Sequence, residues 1–247
     1  MFMNLQDILK EIRHADHDYH LFKENDRIAI GLSGGKDSIL LIEALYTLKR
    51  FKEYNFEIVV IHIDLGFGNM DFSEVDAYCR SKNIEIHHEE SQVYEILKHY
   101  EKDGKLSCSR CSKYKKACMV QAALKYNCNK IAFGHHADDA IETLFMNMMH
   151  GAKIATFEPK MNLEKSGLTF IRPLIYVYEK DITKVCNQLR LPIVTSTCPN
   201  DKHTERQRIK EMLDDIYSHT PQAKNNFLKM ISNTEQVNLW PKESVKE

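Results

Sequence analysis

Short apolar runs alternate with stretches of helical periodicity along most of this chain, and that alternation limits what it can fold into. Ile28 to Leu32, Glu57 to Asp64, Ile84 to Glu90 and Lys130 to His136 read as buried strands, and Leu191 to Cys198 as a last strand and turn. Helical spacing follows from Asp37, and again over Asp71 to Ser81, Val93 to Tyr100, Lys113 to Tyr126, Asp138 to Met149, Glu179 to Leu189 and Thr204 to Tyr217. Repeated β–α order predicts an α/β fold with a parallel, doubly wound sheet, whose ligands sit at the carboxyl ends of the strands. Residues 1–21 form an N-terminal helical segment on this reading, 22–218 the main domain, and 219–247 a C-terminal helix with a frayed tail. Gly151 to Gly167 reads as a loop.

Composition excludes several classes of function. With 43% hydrophobic and 28% charged residues, the 247-residue chain reads as an ordinary globular protein, long enough for a full core. It has no apolar run of bilayer-spanning length, and its first twenty residues lack the apolar core of a signal peptide, so no membrane association and a cytoplasmic location are expected. The seven cysteines are then reduced thiols or metal ligands. A net charge of −1 means that any nucleic acid must be met by local basic patches, such as Arg110 to Lys116 and Lys202 to Lys210.

The first strand runs into IAIGLSGGKDSILLIEAL, Ile28 to Leu45. Ser33, Gly34, Gly35 and Lys36 occupy a strand-to-helix turn, where glycines let backbone N–H groups approach an anion and the helix end adds partial positive charge. Lys36 supplies a full charge, and Ser33 and Ser38 supply hydroxyls. A Walker A loop would need glycine at Ile30 and Ser or Thr at Asp37. An acid beside bound phosphate would repel it, so Asp37 is expected to act through Mg²⁺. A capped Gly-Gly turn without a ligand would carry the same glycines, but not the lysine and aspartate.

Two further strand ends carry polar residues. FGHHADDAIETL closes the fourth strand, where Gly134 lets the backbone come close to a ligand. Asp138 and Asp139 open the next helix, either as caps or as carboxylates for the metal, and His135 and His136 stand beside them. Cys108 and Cys111 form a CxxC in a lysine-flanked polar loop, and Cys198 follows much later. A CxxC is by itself a redox pair, half a zinc site or part of an iron–sulfur site. Three thiolates suit a cluster that keeps one iron open, and the neighbouring Arg110, Lys113, Lys115 and Lys116 are expected to lower the thiol pKa values. Cys79, Cys118, Cys128 and Cys186 read as small core residues.

SGGKDS at Ser33 to Ser38 resembles the PP-loop of N-type ATP pyrophosphatases, which cleave ATP between the α- and β-phosphates and transfer AMP to a substrate oxygen. With SCSRCSKYKK, GHHADDAIETLFMNMMHGAK, FIRPLIYVYEKDI and CPNDKHTERQRIKEML in that order, the chain from about Phe22 to Leu213 is similar to the TtcA family of tRNA 2-thiocytidine synthetases. Familiar members have a second cysteine where Thr195 stands, which leaves Cys198 alone in its region.

The resemblance implies a PP-loop fold and an enzyme that uses ATP, Mg²⁺ and a 4Fe–4S cluster to replace the C2 oxygen of an anticodon-loop cytidine with sulfur. The cluster ligands would be Cys108, Cys111 and Cys198. ATP would contact Ser33, Gly34, Gly35, Lys36, Asp37, Ser38, Ile63, Asp64 and Gly134, with Asp139 near the metal; Lys115 and Asp138 resemble residues that face the activated base. Partners would be tRNA and a sulfur donor, a cysteine desulfurase or free sulfide; whether the chain forms a homodimer stays open. So do two alternatives: a PP-loop thiolase for 2-thiouridine or a small molecule, and a nucleotide-binding iron–sulfur or redox sensor without turnover.

Overall fold

The computed structural model describes residues 3–68, 70–101, 106–195, 197–198 and 205–240. Six strands form one sheet: β1 (Asp26–Leu32), β2 (Phe56–Asp64), β3 (Glu85–Glu90), β4 (Lys130–Ala132), β5 (Lys160–Leu163) and β6 (Leu168–Ile171), in the order β3-β2-β1-β4-β6-β5. Every neighbouring pair is parallel except β5 with β6. Ile28, Ala29 and Ile30 are all fully buried, a continuous rather than alternating pattern, as expected of a strand covered on both faces. The edge strand β3 instead reads EIHHEE, polar enough to discourage pairing with another chain.

Contacts divide the chain into two compact units. The first comprises residues 1–139 and 157–204 and contains the sheet. Its helices are α1 (Leu5–Tyr19), α2 (Lys36–Leu48), α3 (Ser73–Ser81), α4 (Val93–Lys98), α5 (Cys108–Lys125) and α7 (Glu179–Leu189), with the first turn of α6 (Ala137–Gly151). α5 lays Met119, Ala122 and Ala123 against Ala29, Val59, Ile61 and Ile131 of the sheet. α2 is almost wholly apolar beyond its first turn and packs on α1 and α7. In the second unit, residues 140–156 and 205–247, Ile141 of α6 meets Ile209 and Leu213 of α8 (Glu205–His219) and Phe227 of α9 (Ala223–Ser232). Among the described residues no helix is long and apolar enough to cross a membrane.

Three sequence expectations need correction. Leu191 to Cys198 is no strand over its described residues: Pro192 lacks a ladder donor, and the Val194 N–H donates to Gly34 O of the turn, at 2.9 Å, instead of to a strand. The expected loop Gly151 to Gly167 contains β5, which turns back through Ser166 and Gly167 (φ +70°) to pair antiparallel with β6, so the sheet is parallel in all but one edge pair. The CxxC does not sit in a loop. Ser107 accepts a hydrogen bond from the Arg110 N–H and starts α5 at Cys108, five residues before the expected Lys113. The expected polar stretch at 102–105, the basic residues at 202–204 and the tail at 241–247 lie outside the described residues.

The chain visits β1, β2 and β3 in one direction and then crosses back to lay β4 on the other side of β1. That reversal opens a crevice at the carboxyl ends of β1 and β4. Ser33 to Lys36 follow β1, and Phe133 to His136 follow β4.

Candidate active site

Only Ser33, Gly34 and Gly35 separate β1 from α2. Gly34 is buried at φ +85°, and a Cβ there would lie 2.9 Å from Cβ of Val194, so both conformation and space demand glycine. The Ser38 hydroxyl donates to Gly35 O at 2.9 Å and accepts the Ser33 N–H at 3.2 Å, which ties the turn from inside. Gly35 is the N-cap of α2 and supplies no side-chain bond, so the first amides of the helix are left to serve an anion.

Lys36 and Asp37 stand at the start of α2 in a charged lattice. Lys36 Nζ lies 2.9 Å from Glu179 Oε1 and 3.2 Å from Asp37 Oδ1. Burial opposes the lysine's charge, but Asp37 and Glu179 outweigh it and raise its pKa above the usual lysine value. For Asp37 burial wins: its pKa is raised even though Lys36 and His136 pull it down, and Asp139 adds repulsion. Its buried Oδ1 accepts no hydrogen bond of good geometry despite the nearby ammonium. His136, left without a role by the sequence, is buried with Nε2 3.4 Å from Asp139 Oδ2 and 3.8 Å from Asp37 Oδ1. Its Nδ1 accepts the Asp139 N–H at 3.4 Å and lies 3.8 Å from Asp138 Oδ2, so a neutral ring carries its proton on Nε2, toward Asp37 and Asp139.

A cavity of about 810 Å³ opens beside this lattice, within the size range of nucleotide and cofactor sites. Ser33, Asp37 and Ser38 line it, Ile63 and Asp64 come from the end of β2, Gly134 follows β4, and Asp139 comes from the first turn of α6. Lys115, Cys108, Cys111 and Cys198 line the same cavity. Thus a CxxC in the first turn of α5 and a cysteine far along the chain share one space with the turn after β1. Gly34, Gly35, Lys36 and Asp138 lie outside the wall. Asp138 is buried, and its Oδ2 accepts the Glu179 N–H at 2.8 Å, so it caps α7. Gly134 is constrained mainly by its own chain: a Cβ there would lie 2.9 Å from the Asp37 carbonyl carbon.

Electrostatics around the thiols differ from the sequence expectation. Burial pushes the Cys111 thiol up; Lys115 opposes it, and the charges of Cys198 and Cys108 add to it. Desolvation therefore beats the flanking cation at this thiol. Lys115 is itself pushed down by burial, with Cys111 and Cys198 resisting. The Arg110 guanidinium is turned over the Tyr100 ring, 4.0 Å from its centre.

Among the described residues no three His, Cys, Asp or Glu side chains close tightly enough to hold a single metal ion. Three thiols spread around one cavity instead suit a wider group such as an iron–sulfur cluster, which thiolates bind by preference. The facing carboxylates Asp37 and Asp139, one with an unbonded buried oxygen, suit a hard divalent cation. Sequence reading passed over Glu179, although it lies in the quoted YEKDI; the available signal was an acid opening a helix just beyond a strand end.

Comparison with known proteins gives consistent likenesses. The model of a family described as "PP-loop domain" matches residues 3–215. A tRNA-cytidine(32) 2-sulfurtransferase of Geotalea uraniireducens (strain Rf4) is 34% identical over 230 residues, 92% of this chain and 91% of that protein. One from Geobacter sulfurreducens is 32% identical over 92% of this chain and 90% of its own length. Among solved structures, the U34-tRNA thiolase NcsA from Methanococcus maripaludis, determined with its [4Fe-4S] cluster, superposes with a TM-score of 0.74 at 20% identity, covering 98% of this chain and 85% of that one. At that identity the likeness concerns the fold.

Proposed function

The chain belongs to the TtcA family of PP-loop proteins, and from that premise we propose that it is an ATP-dependent tRNA sulfurtransferase that converts a cytidine to 2-thiocytidine. One observation carries the reading: Ser33, Asp37 and Ser38, at and just after the glycine turn, line a single cavity of about 810 Å³ with three cysteines. A nucleotide-binding protein without sulfur chemistry has no need for thiols there, and a redox pair has no need for the third.

The C2 oxygen of cytidine is a poor leaving group. Attack of that oxygen on the α-phosphorus of ATP converts it to a phosphate ester and expels pyrophosphate; sulfur then adds to C2 and AMP departs. Ser33 to Ser38 would hold the phosphate chain through the α2 amides and hydroxyls, and Lys36 would meet the charge that develops on pyrophosphate. Asp37 and Asp139, oriented by His136, would hold Mg²⁺, which neutralises phosphate charge. Ile63, Asp64 and Gly134 would line the nucleoside end. Cys108, Cys111 and Cys198 would hold a 4Fe–4S cluster, which when bound would present sulfide from an external donor for transfer. Lys115, in the wall of the same cavity, would orient the activated base. Asp138 would act one step removed, through α7.

The substrate tRNA, a sulfur donor (a cysteine desulfurase or free sulfide), a cytoplasmic setting and any homodimer rest on the same reading. The test is pyrophosphate release from ATP by the purified, cluster-loaded protein with and without tRNA, together with mass spectrometry of tRNA nucleosides from a deletion strain. Release only with tRNA and loss of 2-thiocytidine are expected. Loss of 2-thiouridine instead would reassign the base, and an unchanged nucleoside profile would remove tRNA from the account.

A further inference from the structure

Lys36 carries three N–H bonds, and two carboxylates already claim it: Glu179 Oε1 at 2.9 Å and Asp37 Oδ2, which accepts from it at 3.4 Å. Glu179 is the first residue of α7, and its backbone N–H is fixed by Asp138 Oδ2 at 2.8 Å. The same helix and the segment after it touch the turn at two more points. The Cys186 thiol lies 3.5 Å from the Lys36 carbonyl oxygen, and the Val194 N–H donates to the Gly34 carbonyl at 2.9 Å. None of Glu179, Cys186 and Val194 belongs to the cavity wall. The turn is thus braced from outside the cavity, and Lys36 is the residue of the turn that the brace holds by charge, through Glu179.

We infer that Glu179 is a positioning residue for adenylation: by taking one N–H of Lys36 while Asp37 takes a second, it aims the third at the phosphate chain held by the turn. This rests on the reading that the turn holds ATP. An unheld lysine on four methylene groups would sample many rotamers, and each misaligned one forfeits stabilisation of the leaving pyrophosphate. Asp138 enters the same arrangement by holding Glu179 through its backbone. The device requires an acceptor oxygen at Glu179, and the negative charge itself is dispensable.

The full chain, cluster-loaded, is tested as wild type, Glu179→Ala and Glu179→Gln, by calorimetric ATP binding and by single-turnover pyrophosphate release with tRNA; thermal unfolding confirms that each variant is folded. Glu179→Ala is expected to slow release by about 10- to 100-fold while ATP affinity stays within about threefold, and Glu179→Gln, which keeps the acceptor oxygen, to restore most of the rate. An unchanged rate in Glu179→Ala would overturn the inference. So would an ATP affinity at least about tenfold tighter at undiminished rate, because Glu179 would then merely compete with phosphate for Lys36. A Gln variant that is folded but as slow as Ala would also overturn it. If the wild type releases no pyrophosphate with tRNA present, the failure belongs to the proposed function, and that control is measured first.

Discussion

Gly134 and Asp37 meet backbone to backbone: a methyl group on Gly134 would lie 2.9 Å from the Asp37 carbonyl carbon and 3.1 Å from the Ser38 amide nitrogen. The end of β4 therefore presses on the first turn of α2, and both lie at the crevice. Neither neighbour is a flexible side chain that could swing aside. Gly134→Ala is expected to destabilise the protein by about 1–3 kcal/mol through overpacking and to weaken ATP binding at least about tenfold, because the amides of the turn must move. Urea unfolding and calorimetry check the two parts; wild-type affinity in the variant would mean that the contact relaxes without disturbing the turn.

The thiols separate into two groups. Cys108, Cys111 and Cys198 line the cavity, whereas Cys186 is buried outside its wall, with its pKa raised to about 12 by burial and by Asp37. After anaerobic reconstitution, Ala substitution at any of the three cavity cysteines is expected to lower bound iron and acid-labile sulfide together. Cys186→Ala should keep both at wild-type levels. Full iron content in Cys198→Ala would remove that residue from the ligand set.

His62 ties folding to pH. Burial lowers its pKa; a hydrogen bond with Leu32 O at 3.1 Å opposes this, and His88 and Lys115 add repulsion. Asp64 acts weakly in the opposite direction, and the Phe72 ring packs 4.1 Å away, centroid to centroid. The unfolded chain takes up a proton near pH 6.5, whereas the folded chain refuses it until lower pH. The stability contributed by neutral His62 is therefore fully present above about pH 6.5 and lost as pH falls through the folded-state value. His62→Gln should flatten the fall in unfolding free energy between about pH 7 and 5, read from urea titrations at each pH. An unchanged slope would assign the fall to other groups.

Asp26 and Lys130 form a buried ion pair, 2.6 Å long, with side chains 2% and 4% exposed. Asp26 also accepts the Lys23 N–H and the Asn129 amide, and Lys130 donates to Leu21 O. Burial lowers the Lys130 pKa, and Asp26 works against that. Asp26→Ala strands the ammonium and is expected to cost about 3–5 kcal/mol, measured by chemical unfolding. The pair lies where β1 and β4 begin, so ATP affinity in the folded fraction should stay near wild type.

Legibility in the sequence followed the range of the interaction concerned. The strand, turn and helix around Ser33 to Ser38 were readable because apolar runs, helical spacing and two adjacent glycines are local signals. The N-terminus of α5 was just as local, yet it was missed: Ser107 was read as part of a polar loop when it is a cap. The strand expected at Leu191 to Cys198 failed for a different cause. An apolar run shows that a segment is partly buried, but not whether a sheet edge is available, and here β5 occupies the edge beyond β6. Gly134 was visible as an unusual glycine, but its partner was not, since α2 is nearly a hundred residues away in sequence.

The sequence by itself determined the parallel α/β architecture, the glycine turn after β1 and the residue types gathered around it, because each is encoded in neighbours a few positions apart. Tertiary structure alone decided that Cys198 shares a cavity with Cys108 and Cys111, that Asp138 caps α7, and that Glu179 reaches Lys36. Those meetings depend on the order of strands in the sheet, where β4 crosses to the far side of β1. Strand order is set by the packing of the whole core, and no short stretch of residues carries it.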